Sequence, residues 1–156
     1  MSAFKLQVPA TLASLSSVGE LCALLAAQAG LDDGDAMRLR GAVDELVTNV
    51  ITHGYEEDPA KMVQLVASVE DFRVVLTIVD EAPAFDPLSD AGPAPDWSVP
   101  GHLRPLGGNG LALARQSVDA MAYRRVGEEN HTTVEVAGRP AREAGSPRRT
   151  RARGSP

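Results

Sequence analysis

Residues 44–55 read DELVTNVITHGY. They close a stretch, from about Asp35 to about His53, whose apolar residues recur at helical spacing. At about 100° per residue, Leu39, Val43, Leu46 and Val50 share one stripe, and Ala42 and Val47 widen it. Glu45, Asn49 and His53 follow one another four apart, roughly 100–120°, 80° and 40° from the centre of that stripe. The row therefore climbs one border of the buried face. A carboxylate and an amide one turn apart there can meet a ligand held between the helix and the next layer. The carboxylate can accept a proton or orient a hydroxyl. The amide oxygen is a hard donor that suits Mg²⁺, an ion that keeps several waters and shares phosphate oxygens. For His53, packing at the helix end with a bond to a carbonyl is the simpler role. Asp32, Asp33 and Asp35 crowd the helix start, where carboxylates favour the positive end of the dipole, and Gly54 lies at its end.

Working outward, FKLQVPA (4–10) alternates apolar and polar residues as a short strand ended by Pro9. A first helix follows, with Thr11 placed to cap it, apolar residues from Leu12 to Leu25, and Gly30 as its stop. Downstream, MVQLVASVEDFRVVLTIVDE (62–81) reads as two strands turned at Glu70–Asp71, the second rich in β-branched residues and central in character. Residues 81–107 hold nine prolines and glycines, and a loop so long in a small domain is usually functional or disordered. NGLALARQSVDAM (109–121) reads as a third helix, then AYRRVG and HTTVEVAG as a hairpin across EEN (128–130). The order β-α-α-β-β-loop-α-β-β predicts an α+β, two-layer sandwich. Its sheet is expected to be mixed, mostly antiparallel, and covered on one face by three helices.

The chain has 156 residues, enough for one domain with a real core. Residues 1–138 carry 9 Lys/Arg and 20 Asp/Glu, a net −11, while 139–156 carry 6 Arg and 1 Glu, a net +5. An acidic body argues against non-specific nucleic-acid binding. The Arg-rich segment 139–156 has almost no apolar residues and is expected to be a disordered basic tail. The domain is therefore expected to span 1–138. Cys22 is the single cysteine, which excludes an internal disulfide and reads as a small buried hydrophobe. No charged-then-apolar leader pattern opens the chain, and no apolar run approaches the roughly 20 residues that span a bilayer. A cytoplasmic protein with no membrane contact is expected.

Two further stretches carry chemistry. In IVDEAPAFDP (78–87), Asp80 ends an apolar strand, a common place for a polar group facing a pocket. A carboxylate there can accept from an exocyclic amine such as that of adenine, and Phe85 can wall the pocket. In LGGNGLALARQSVD (106–119), Gly107, Gly108 and Gly110 crowd a helix start, where backbone N–H groups can approach an anion. No Gly-Lys-Ser/Thr follows, so this is not a P-loop, and Leu113 excludes the dinucleotide fingerprint.

Taken together and in this order, the three stretches resemble the GHKL (Bergerat) ATP-binding fold shared by histidine kinases and gyrase. ELVTNVITHGY resembles its N box, DEAPAFDP its G1 box and GGNGLALARQSVD its G2 box, and the resemblance covers about residues 4–138. Within that superfamily the small single domain looks like the RsbW-type anti-sigma-factor serine/threonine kinases. The resemblance implies a histidine-kinase-like ATPase fold, with ATP and Mg²⁺ as cofactors. Asn49 would be the Mg²⁺ ligand and Glu45 the general base toward a protein serine or threonine. Asp80 would hold the adenine, beside Ala82 and Phe85, and Gly108, Asn109, Gly110 and Leu111 would follow the phosphates. The implied partners are a STAS-type anti-anti-sigma protein, a sigma factor and a second copy of the chain. One position departs from the pattern: Ala82, followed by Pro83, stands where the G1 box carries glycine. If that glycine needs positive φ, the base pocket is altered. A non-catalytic module that only binds nucleotide or sequesters a partner is the alternative.

Overall fold

The computed structural model describes residues 2–89, 96, 98–100, 102 and 109–138. Five strands form one sheet: β1 Ser2–Pro9, β2 Met62–Glu70, β3 Arg73–Asp80, β4 Ala120–Val126 and β5 Glu129–Ala137. Their spatial order is β1-β2-β3-β5-β4, so β3 is central, as its β-branched composition predicts. The sheet has no mixed character, because all four pairings are antiparallel. Three helices pack on one face: α1 Leu15–Ala29, α2 Asp33–Asn49 and α3 Asn109–Ser117. The result is the expected α+β two-layer sandwich. Of the segment read as a long loop (81–107), 13 of 27 residues lie outside the described residues, and the segment read as a basic tail (139–156) lies wholly outside them.

The burial pattern shows why these segments form these elements. Along β2 and β3, every second residue (Val63, Leu65, Ala67, Val69; Val74, Leu76, Ile78) is buried, the two-residue period of a half-covered sheet. On α2 the buried residues are Leu39, Ala42, Val43, Leu46 and Val47, the stripe and its flanks. Each fully buried Leu, Ile or Val here contributes about 1.5–3 kcal/mol of transfer free energy. Helix α1 stops at Gly30, whose φ of 69° lets Leu31 N–H reach back to the Ala26 carbonyl at 3.0 Å. Residues Leu12–Ala29 form a stretch of 18 with mean hydropathy 1.4, long and apolar enough to cross a membrane by length and composition alone. That corrects the expectation that no such run exists. In the fold this stretch is a core helix, burying Val18, Cys22 and Leu25 against the sheet and α2.

Several boundaries differ from the sequence reading, that of the third helix (109–121) among them: α3 ends at Ser117, and Ala120 and Met121 open β4. The β2–β3 turn falls on Asp71–Phe72, with Phe72 at φ 59°. The β4–β5 turn falls on Gly127–Glu128 rather than on residues 128–130, and Gly127, at φ 59°, is the residue that makes it. Thr11 does not cap a backbone N–H; its hydroxyl lies 3.3 Å from that of Ser14 before a short 3₁₀ turn, Leu12–Ser14.

Candidate nucleotide site

Helix α2 is anchored at its start and opens at its end. Asp32 caps it by accepting from Asp35 N–H at 2.8 Å. Arg38, one turn in, ties α2 to the element that follows α3: it donates to the Asp35 carboxylate (2.7 Å), the Ser117 carbonyl (2.7 Å) and Asp119 (3.3 Å). The second and third helices are thereby set relative to one another. At its C-terminal end α2 runs into a π turn, Val50–Gly54, closed by Tyr55 N–H on the Val50 carbonyl at 2.8 Å. A π turn inserts an extra residue into the helical row and is frequent at functional sites. It moves His53 off the line that regular helical spacing predicts. His53 is exposed, and the expected bond to a carbonyl is not found among the described residues.

The G1 stretch is held by hydrogen bonds from three sides. Asp80, at the end of β3, is buried and sits directly opposite Asn130 of β5. Its Oδ1 accepts from Asn130 Nδ2 (2.8 Å) and from Ala82 N–H (3.0 Å). Burial pushes its carboxyl above the ordinary range, and the bonds from Asn130 and Ala82 hold it back in part. The Tyr55 hydroxyl accepts from Glu81 N–H at 2.6 Å. Arg125 donates to the Ala82 carbonyl at 2.9 Å.

Ala82 answers the question its sequence position raised. Its backbone does not need glycine, because the only non-glycine residues with positive φ among those described are Glu56, Glu57 and Phe72. Its methyl instead points at Gly54: a Cβ built on residue 54 would lie 2.8 Å from Ala82 Cβ. The glycine of the HGY sequence is therefore what makes room for the alanine.

Two adjoining cavities follow the row on α2. The first, about 180 Å³, is walled by Leu46, Asn49 and Val50 on the helix side. Ile78, Asp80 and Thr132 form its floor on the sheet, and Ala82 and Phe85 its rim. Roughly 10–15 Å³ suffices for one water, so this space takes a flat ring system. Asp80 Oδ2 has no partner among the described residues, which leaves an acceptor for a donor in this cavity. The second, about 140 Å³, is bounded by Glu45, Thr48 and Asn49 on α2, by Thr52 in the π turn, and by Gly110 and Leu111 on α3. Asn49 and His53 line both. A Cβ on Gly110 would collide with the Glu45 carboxylate, so the bare first turn of α3 is what admits Glu45 to the site.

Of the residues singled out from sequence, Asn49, Asp80, Ala82 and Phe85 thus gather at the first cavity, and Glu45, Asn49, Gly110 and Leu111 at the second. Asn109 begins α3, and Gly108 lies outside the described residues. Sequence reading missed Tyr55, Tyr123, Arg125 and Asn130. Cys22 is buried, and desolvation, aided by the nearby Asp44 charge, pushes its thiol up to about 12, so it is inert as expected.

No cluster of three or more His, Cys, Asp or Glu side chains able to hold a metal occurs among the described residues, so a protein-only cage is absent there. The donor set fits a different arrangement. The side chain of half-buried Asn49 makes no hydrogen bond among the described residues and stands where the two cavities meet. One neutral oxygen suits an Mg²⁺ that takes its other ligands from phosphate and water.

A sandwich of three helices on an antiparallel sheet, with its pocket between the second helix and the central strand, defines the histidine-kinase-like ATPase fold. Residues 8–136 match the histidine kinase-like ATPase domain family, and the chain belongs to it. It is 32% identical over 99 residues to an anti-sigma F factor of Anoxybacillus flavithermus, covering 63% of this chain and 65% of that one. It is 40% identical over 53 residues to an anti-sigma F factor of Shouchella clausii, covering 34% of this chain and 36% of that one. The chain thus spans under two thirds of the length of these relatives. About a third of the solved chain holding the RsbU and RsbW domains of a Mycobacterium tuberculosis protein shares its fold, with a TM-score of 0.62 and 21% identity over 91% of this chain and 34% of that one. The chain is thus similar in sequence to anti-sigma F factors and in fold to a structure that contains an RsbW domain.

Proposed function

We propose that this protein is an ATP-dependent protein serine/threonine kinase of the anti-sigma type. It phosphorylates a STAS-type anti-anti-sigma protein and, in alternation, sequesters a sigma factor. It works in the cytoplasm as a homodimer, without direct contact to nucleic acid or membrane. The observation that carries the reading is the meeting of two cavities at Asn49, with an unpaired Asp80 oxygen in one and Glu45 in the other. Likeness to two anti-sigma F factors supports the choice of partners.

In this reading Asp80 Oδ2 accepts from the adenine amine, Ile78 and Phe85 cover the ring faces, and Asn49 holds Mg²⁺. The metal, when bound, neutralises phosphate charge. Gly110 and Leu111 offer backbone at the first turn of α3, where an anion is favoured. Glu45 takes the proton of the incoming serine or threonine hydroxyl. That oxygen bonds the γ-phosphorus, the bond to the β–γ bridging oxygen breaks, and ADP leaves with the electron pair. Positioning and charge neutralisation do most of the work in such transfers, so a sparse site is sufficient.

A second reading, a partner-sequestering module that binds nucleotide without transferring it, draws on Ala82–Pro83 in place of the G1 glycine. Calorimetric titration with ATP, with and without Mg²⁺, followed by a transfer assay on a STAS-type substrate, decides. Mg²⁺-dependent binding with transfer supports the kinase. Binding without transfer supports the module, and no binding up to millimolar ATP removes the kinase and leaves a module that sequesters its partner without nucleotide.

A further inference from the structure

Asn130 is among the most buried polar residues described, 3% exposed, and five of the hydrogen bonds at the base end of the site meet on its amide. Its Nδ2 donates to Asp80 Oδ1 (2.8 Å), the Ala82 carbonyl (3.1 Å) and the Pro83 carbonyl (3.3 Å). Its Oδ1 accepts from Tyr123 OH (2.7 Å) and Arg125 Nη1 (3.0 Å). The direction of this chain of bonds is not a matter of choice. A guanidinium can only donate, so the amide oxygen must face Arg125. An ionised carboxylate can only accept, so the amide nitrogen must face Asp80. Arg125 also holds the Ala82 carbonyl directly, at 2.9 Å.

We infer that Asn130, oriented by Tyr123 and Arg125, is the positioning residue that makes the base pocket selective for an amine-bearing purine. The inference rests on the nucleotide reading given above. By occupying Asp80 Oδ1 with a donor, Asn130 leaves Oδ2 toward the cavity as a pure acceptor. A ring with an exocyclic amine satisfies that oxygen, whereas a ring with a carbonyl at the same position sets two acceptors against each other. By binding three acceptors of residues 80–83, the same amide also pins the one stretch where Ala82 and Pro83 replace the usual glycine turn. None of these three residues touches the ligand's reacting atoms; they act through Asp80.

Inosine triphosphate carries a carbonyl in place of the amine and an N1–H donor in place of the N1 acceptor, so the ratio of the two affinities reads the donor–acceptor pattern of this edge and not the fold. Calorimetry of the full chain with Mg-ATP and Mg-ITP is the test, on the wild type, on Asn130→Leu and on Tyr123→Phe/Arg125→Leu. The wild type is expected to prefer ATP by about tenfold or more, the discrimination a bond to a charged acceptor supplies. Asn130→Leu should bring the ratio near one, and the double variant should lower it by a smaller factor. Circular dichroism melting establishes that each variant is folded, and if Asn130→Leu is not, the double variant decides. A folded variant of either kind that keeps the wild-type ratio overturns the inference. So does a wild type that binds ATP and ITP equally, although the nucleotide reading then stands. A wild type that binds neither overturns both.

Discussion

The two ends of the candidate site are built on opposite plans. At the strand end, Asp80 is buried and both it and the backbone around it are held by Asn130, Tyr55 and Arg125. At the helix end, Glu45 is exposed and makes no hydrogen bond among the described residues, touching instead the bare backbone of Gly110. A network held on all sides but one has one geometry, and its single open acceptor discriminates ligands. An unpaired carboxylate against a helix start is free to exchange partners when phosphate or a protein hydroxyl arrives. Recognition is thus built into the resting structure at one end, while the chemistry at the other depends on what binds.

The largest effect should come from the open end. Glu45→Ala is expected to lower phosphotransfer to a STAS-type substrate by about 10²–10⁴, the range for loss of a general base. ATP affinity should stay nearly the same, because Glu45 is exposed and unbonded. Transfer and calorimetric titration measured side by side separate the two ends. Equal loss in both would erase the distinction drawn here.

At the closed end, tolerance to added volume should be small. Gly54→Ala places a methyl where Ala82 Cβ already stands, and overpacking of this kind costs about 1–3 kcal/mol. Ala82→Gly in the same chain should return much of that loss, and the coupling is read from urea denaturation of both single variants and the double. Strict additivity would mean that the two residues do not meet.

This pair also shows how far the sequence could be read. The α2 row, the strand ending in Asp80 and the glycines before α3 were legible because each is a local pattern with a fixed period or a fixed turn chemistry. Asn130 was not, because the hairpin turn was read over residues 128–130. Moving the turn to Gly127–Glu128, which the glycine and its positive φ favour, places Asn130 in β5 opposite Asp80. A shift of one or two residues decides whether Asn130 belongs to the turn or to the strand, and local pattern fixes turns no more finely than that. The π turn at Val50–Gly54 was hidden for a related reason: helical periodicity carries no sign of an inserted residue until the neighbouring contacts are known.

A change in pH should sharpen the contrast further. Burial raises the Asp80 carboxyl, so the folded chain holds that proton more tightly than the unfolded chain does. Stability from this group therefore falls as pH rises from the unfolded value through the raised folded value, and acidification through the same window restores it. ATP affinity should move the other way, weakening as the Asp80 acceptor is protonated. Asp80→Asn should abolish this component of both trends and lower ATP affinity about tenfold or more at neutral pH. Affinity and melting temperature measured against pH test the pair of signs, and a wild-type affinity that rises on acidification would contradict the role given to Asp80.

The smallest effect belongs to a carboxylate of the opposite kind. Glu135 is paired on the uncovered face of the sheet with Arg73, at 2.8 and 2.9 Å, and that hydrogen bonding holds its carboxyl below the ordinary range. A depressed folded value gives stability that is present above the unfolded value and lost as pH falls through the folded one, the reverse of Asp80. The pair is half-exposed, so water and salt partly screen it. Glu135→Gln should lower the melting temperature slightly at neutral pH, less so at high salt, and leave ATP affinity and the ATP-to-ITP ratio untouched. A nucleotide effect from so distant and screened a residue would mean that the sheet transmits strain to the pocket, and the closed end would then be less self-contained than its hydrogen bonds imply.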